Sequence, residues 1–229
     1  MPLPNSNQLW WSPVWERYKT SYLVAAPPAP LGEPHLRREL IFCLLGGHGV
    51  LYELGRSATT VIQALRPFDD GWAPQHLHER IEHELRKPQF EPVRTNGSPR
   101  RYRYPARKAR LISDAITWVR DNGGLRTGFA ARDSEASRRE WLCRCPGVGL
   151  KTASWLLRNC GWARELAIVD IHLLRALAEA GVIGDSRLPR DYLQIERAYL
   201  DWAARLDACP AALDLFLWDV QRARAVLKR

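Results

Sequence analysis

At 229 residues the chain is long enough for one compact domain or for two small layers sharing a cleft. Hydrophobic residues at 46% and charged residues at 26% exclude a disordered polymer, and a net charge of +9 carried by twenty-nine arginines against five lysines makes nucleic acid the leading partner. The opening MPLPNSNQLWWSPVW lacks the basic start and apolar run of a secretory signal, and no stretch reaches the length of a membrane span. Five cysteines without a repeated C-x-x-C pattern argue against a disulfide framework or zinc ribbon, so a cytosolic chain with reduced thiols is expected.

Residues 1–34, rich in proline and tryptophan, read as an irregular or partly helical lead-in. From Leu36, LRRELIFCLLGGHGVLYELGRSATTVIQAL has helical apolar spacing on both sides of GGHG, which predicts two helices or one sharply interrupted helix. APQHLHERIEHELRK is an amphipathic helix. Its His76, His78 and His83 read either as a metal site or as part of a solvated face, and no neighbouring ligand cluster supports the metal. Residues 88–105 mix turn formers, arginines and tyrosines, which suits either phosphate tracking with base stacking or a basic loop over one packed tyrosine.

A helix in ARLISDAITWVRDNGG ends at glycines, and SEASRREWLCRC opens at Ser134 with a capping-box pattern. Beyond residue 160, LLRALAEAGVIG, PRDYLQIERAYLDWAARLD and AALDLFLWDVQRARAVL all have helical periods. With no alternating run long enough for a sheet, the chain reads as all-α. The expected organisation is a lead-in over 1–34 and a helical domain over 35–229.

The stretch CPGVGLKTASWLLRNC, residues 145–160, joins two helices through Pro146-Gly147-Val148-Gly149. A glycine turn lets the backbone approach a partner, and the unpaired amides that open the second helix sit at the positive end of its dipole, where a phosphate oxygen binds. Lys151 falls in that first turn, where a cation is disfavoured. A positive helix end and desolvation both favour the neutral amine, which is a nucleophile. Nineteen residues later AIVDIHLL places Asp170 at the start of another helix. It reads either as a helix cap or as a carboxylate facing Lys151 across a cleft.

CPGVGLKTAS followed by VDIH resembles the hairpin, lysine and aspartate of the helix-hairpin-helix DNA glycosylases. With YLQIE and LDLFLWDVQRARAVLK, the order and spacing are similar to the archaeal-type 8-oxoguanine DNA glycosylases from about residue 36 onward; FCLL and RYRYPARKARLI match less closely. The resemblance implies two helical layers with a cleft between them, the hairpin near 141–160, and a bifunctional glycosylase and abasic-site lyase acting on double-stranded DNA. In that scheme Lys151 attacks the anomeric carbon of a flipped nucleotide and displaces the base. Asp170 stabilises the developing positive charge, and the resulting imine permits the elimination that cuts the strand.

The same resemblance implies phosphate contacts at Gly147, Gly149, Thr152 and His172, and a K+ or Na+ ion held by the carbonyls of Cys143, Cys145 and Val148. It implies base-pocket roles for Trp218 and Lys228. No cofactor is required. The iron–sulfur branch of the superfamily carries four cysteines after the aspartate, whereas Cys209 alone follows Asp170 here, so no cluster is expected. A monomer associated with the nucleoid of a prokaryotic cell is the expected setting. Two departures touch specificity: Arg229 extends the tail past Lys228, and GGHG differs from the asparagine-containing family sequence. His48 there reads either as a group that meets a base or as a local cap. A different modified base, or a hairpin that binds DNA without catalysis, are the competing readings.

Overall fold

The computed structural model describes residues 6–22, 29–47 and 49–227, with side chains for 11–22, 29–47 and 49–223. Among them the fold is all-α, as the periodicity predicts: eleven helices, and one isolated antiparallel bridge between Phe90 and Arg100. His48 and Lys228 lie outside the described residues.

The helices group into two compact units, Pro30–Leu156 and Met1–Ala29 with Leu157–Arg229. The contiguous unit holds α2 (Glu33–Leu45), α3 (Tyr52–Ala64), α4 (Pro74–Arg86), α5 (Pro105–Asp121), α6 (Leu125–Ala130), α7 (Glu135–Leu142) and the first part of α8 (Leu150–Asn159). Leu36, Leu40 and Ile41 from α2, Ile62 from α3, Leu77 and Ile81 from α4, and Ile112 from α5 are all fully buried, each recurring at helical spacing along its own helix. GGHG separates α2 from α3, as its glycines require.

Two details tie α6 and α7 into this unit. The Glu33 carboxylate accepts hydrogen bonds from the Leu125 and Arg126 amides at 3.1 and 2.7 Å, satisfying the otherwise orphaned start of α6. Trp141 of α7 lies against Gly128, where an added Cβ would come within 2.0 Å of the indole. Ser134 caps α7 as its sequence predicts, accepting from the Ser137 amide at 3.1 Å, and a serine hydroxyl at the third helical position returns the bond in place of the usual Glu or Gln.

The second unit holds α1 (Ser6–Tyr22), α9 (Ile171–Glu179), α10 (Tyr192–Arg205) and α11 (Pro210–Leu227). The lead-in is helical over 6–22 even though Pro13 stands inside it. Trp11 and Trp15 are 2% and 1% exposed, and both set their edges against Phe216 of α11, with centroids at 6.2 and 5.5 Å. Tyr22 packs on the same ring and donates its hydroxyl to Asp219 at 3.0 Å. Burying two indoles outweighs the one hydrogen bond a mid-helix proline removes.

Candidate active site

The hairpin runs from α7 through Cys143–Gly149 into α8. The Cys145 amide bonds back to the Leu142 carbonyl and the Val148 amide to the Cys145 carbonyl, both at 3.0 Å, which closes the turn. Gly147 has φ +79, and a Cβ there would stand 3.0 Å from Leu44 Cδ2 and 3.2 Å from Leu111 Cδ2; the position is glycine for conformation and for space. Gly149 differs. An added Cβ meets nothing within 4 Å, so the space beside the opening of α8 is clear. The amides of that first turn have no partner within the helix and lie at its positive end.

Burial raises the Cys145 thiol to about 12 and the Cys143 thiol in the same direction, so both present neutral S–H groups. What the turn offers a cation is therefore carbonyl oxygen, a hard donor set that fits an alkali ion better than a thiophilic metal. Among the described residues no three His, Cys, Asp or Glu side chains group as a metal site, and His78 on α4 pairs with Glu82 at 3.3 Å.

Lys151 is the second residue of α8 and half-buried. Among the described residues no carboxylate pairs with it; its ammonium instead stands 5.6 Å from the centroid of the Trp155 ring, one turn along. Trp155 is held edge-on by Phe42 at 5.4 Å, and the missing side chain of Gly46 makes room for the indole. Thr152, next in the helix, is half-buried. Sequence reasoning does not single out Trp155, although its i, i+4 relation to Lys151 is there to be read.

Of the two sequence readings of Asp170, the structure shows the cap. The residue is the N-cap of α9, and Oδ1 accepts from the amides of His172 and Leu173 at 2.8 and 2.9 Å. Among the described residues Oδ2 makes no hydrogen bond, so the cap orients the carboxylate through Oδ1 alone. Among the described residues the buried Nδ1 of His172 has no hydrogen-bond partner. Trp218, on α11, is half-buried beneath the Arg222 guanidinium at 4.4 Å.

The break after α2 is built by Lys108, to which the sequence alone assigns no role, and by Tyr102. Lys108 donates to the Leu44 and Gly46 carbonyls, the latter at 2.7 Å, and Tyr102 donates to the Leu45 carbonyl, so two side chains satisfy the orphaned end of α2. Burial, with the Arg107 charge adding to it, lowers the Lys108 amine to about 8. Tyr102 is 3% exposed, which makes it the packed tyrosine of the loop, and Tyr104 is the exposed one, with Arg103 5.0 Å from its ring.

The family model described as 8-oxoguanine DNA glycosylase matches residues 32–208, a span that includes the hairpin, Lys151 and Asp170. The chain belongs to that family. Among its relatives, the 8-oxoguanine DNA glycosylase/AP lyase of Metallosphaera sedula is 34% identical over 120 residues, covering 51% of this chain and 57% of that protein. The one from Korarchaeum cryptofilum is 28% identical over 198 residues, covering 85% and 83%. The crystal structure of the Methanocaldococcus jannaschii 8-oxoguanine DNA glycosylase has the same fold, with a TM-score of 0.63 at 23% identity over 95% of this chain and 89% of that one. The Thermotoga maritima enzyme gives 0.60 at 24% identity over 93% and 91%. No described helix is long and apolar enough to cross a membrane.

Proposed function

We propose that this chain removes oxidised guanine from double-stranded DNA and cuts the resulting abasic strand. The observation that carries the reading is the family match across the hairpin, Lys151 and Asp170 together; the relatives named above are glycosylase/AP lyases, and the Methanocaldococcus jannaschii enzyme has been crystallised with a 15mer DNA containing 8-oxoguanine.

The target nucleotide leaves the base stack, because its glycosidic bond is out of reach inside the duplex. The Lys151 amine bonds to the sugar C1′ as the bond to the base breaks, and the departing base takes up a proton. Asp170 offers Oδ2 to stabilise the positive charge that develops on the sugar, and the cap on Oδ1 holds the carboxylate oriented before reaction starts. Ring opening gives an imine, which draws electrons from C2′ so that a C2′ proton is lost and the 3′ phosphate departs. No step needs a redox cofactor. Gly147, Gly149, Thr152 and His172 hold the DNA backbone, and carbonyls of Cys143, Cys145 and Val148 would hold an alkali cation, which would supply positive charge close to the phosphates. One copy of the chain acts on the duplex, in the nucleoid.

Borohydride reduction of the imine in the presence of an 8-oxoguanine duplex tests the scheme. The wild type is expected to give a covalent adduct on a denaturing gel and Lys151→Gln none. An adduct that persists in Lys151→Gln overturns the role of Lys151, and a wild-type adduct with an abasic duplex alone moves the substrate to another modified base.

A further inference from the structure

Asp170 is presented by a stretch of chain with no regular structure. Leu166, Ala167 and Val169 are buried, yet residues 166–170 belong to no helix and pair with no strand. Buried amides and carbonyls without partners are costly, so their bonds must go somewhere.

They go to side chains. The Ala167 amide donates to Glu196 Oε1 at 2.9 Å, and its carbonyl accepts from the Tyr192 hydroxyl at 2.8 Å. The same hydroxyl accepts from the Val169 amide at 3.3 Å. The intervening Ile168 amide bonds to the Asp214 carboxylate of α11, which is itself paired with Arg158. In an extended chain, backbone groups of residues i and i+2 point to one edge and those of i+1 to the other. Tyr192 and Glu196, one turn apart on α10, therefore occupy one edge of the segment, and Asp214 occupies the opposite edge. Tyr192 and Glu196 are 4% and 5% exposed. They are the first and last residues of YLQIE.

We propose that Tyr192 and Glu196 are positioning residues for Asp170, acting as a side-chain substitute for a β-partner that fixes the segment ending at its carboxylate. The inference rests on the catalytic reading of Asp170. Tyr192 grips two backbone groups with one hydroxyl, and its second bond is to the residue immediately before Asp170. Its loss frees the entry to α9 while leaving the ring that fills the core.

The experiment is single-turnover base excision at saturating 8-oxoguanine duplex by Tyr192→Phe, in the wild-type and in the Asp170→Asn backgrounds, with duplex affinity measured alongside. A positioning role predicts a rate loss of about tenfold or more in the wild-type background, from misplacement of a reacting group, with affinity held within about twofold. In Asp170→Asn the same substitution should cost nothing further, because the group it positions is already gone. An equal loss in both backgrounds, or an unchanged rate in the first, overturns the proposal.

Glu196→Gln and Glu196→Leu repeat the test where the phenol itself is needed for folding. The amide oxygen of Gln still accepts the Ala167 N–H and should recover most of the rate that Leu loses; equal rates for the two overturn the role of Glu196. A wild type that forms no borohydride adduct with any duplex refutes the catalytic reading instead, and is told apart from these outcomes by that assay alone.

Discussion

Two half-buried lysines show how surroundings divide one side chain into two roles. Lys151 has an aromatic face beside it and no carboxylate partner among the described residues. Lys108 is committed to the carbonyls that end α2. Its amine titrates at about 8 in the folded protein, against about 10.4 when exposed. Between those values the unfolded chain binds more protons than the folded one, so this group makes stability rise with pH across that window and adds no slope below it. The neutral amine keeps two N–H donors, enough for both carbonyls. Denaturant unfolding at pH 7.5 and pH 10 should therefore show the wild type gaining stability relative to Lys108→Met at the higher pH; a constant difference would contradict the titration. Lys151 was legible in sequence because a cation at the start of a helix has no structural motive. Lys108 was not, since its partners lie 62 and 64 residues away and only the folded chain brings them together.

Among the elements, the hairpin sets apart two glycines that look equivalent in Pro-Gly-Val-Gly. Gly147 adopts a left-handed conformation and abuts Leu44 and Leu111, so Gly147→Ala adds backbone strain of about 1–2 kcal/mol and crowding besides. Gly149 has neither constraint. Thermal unfolding should show a clear drop for Gly147→Ala and little change for Gly149→Ala, while duplex binding should fall for both if phosphate approaches the opening of α8; unchanged binding in Gly149→Ala would place the phosphate elsewhere. The strongly periodic helices α2 to α4 and α9 to α11 were visible in the sequence because packing agrees with local pattern. The six-residue α6 was not, since it depends on the Glu33 carboxylate and on an indole that only glycine admits. Nor was the extended segment before Asp170, whose partners are side chains rather than a neighbouring strand. The extent of α1 was hidden by Pro13, which local preference scores against a helix and Phe216 rescues.

For the molecule as a whole, the charge of +9 sets the expectation of steep salt dependence in DNA binding. The structure sorts the arginines of the 88–105 loop. Arg100 donates to the Pro92 carbonyl at 2.7 Å and Arg103 to the Gly49 carbonyl at 3.2 Å, so both serve the fold. Arg94 and Arg101 are exposed. Replacing each of these two by Gln should flatten the plot of log affinity against log salt by about one unit for every phosphate that is no longer neutralised; an unchanged slope removes the loop from the interface. The division of the chain has a further effect, on biosynthesis. Pro30–Leu156 is continuous and can fold as it leaves the ribosome, whereas the other unit draws on both ends of the chain. Trp11 and Trp15 are made about two hundred residues before Phe216, the ring they pack on. Until Phe216 has been made those two indoles lack the ring they pack on, and a chain truncated before it leaves that apolar surface open.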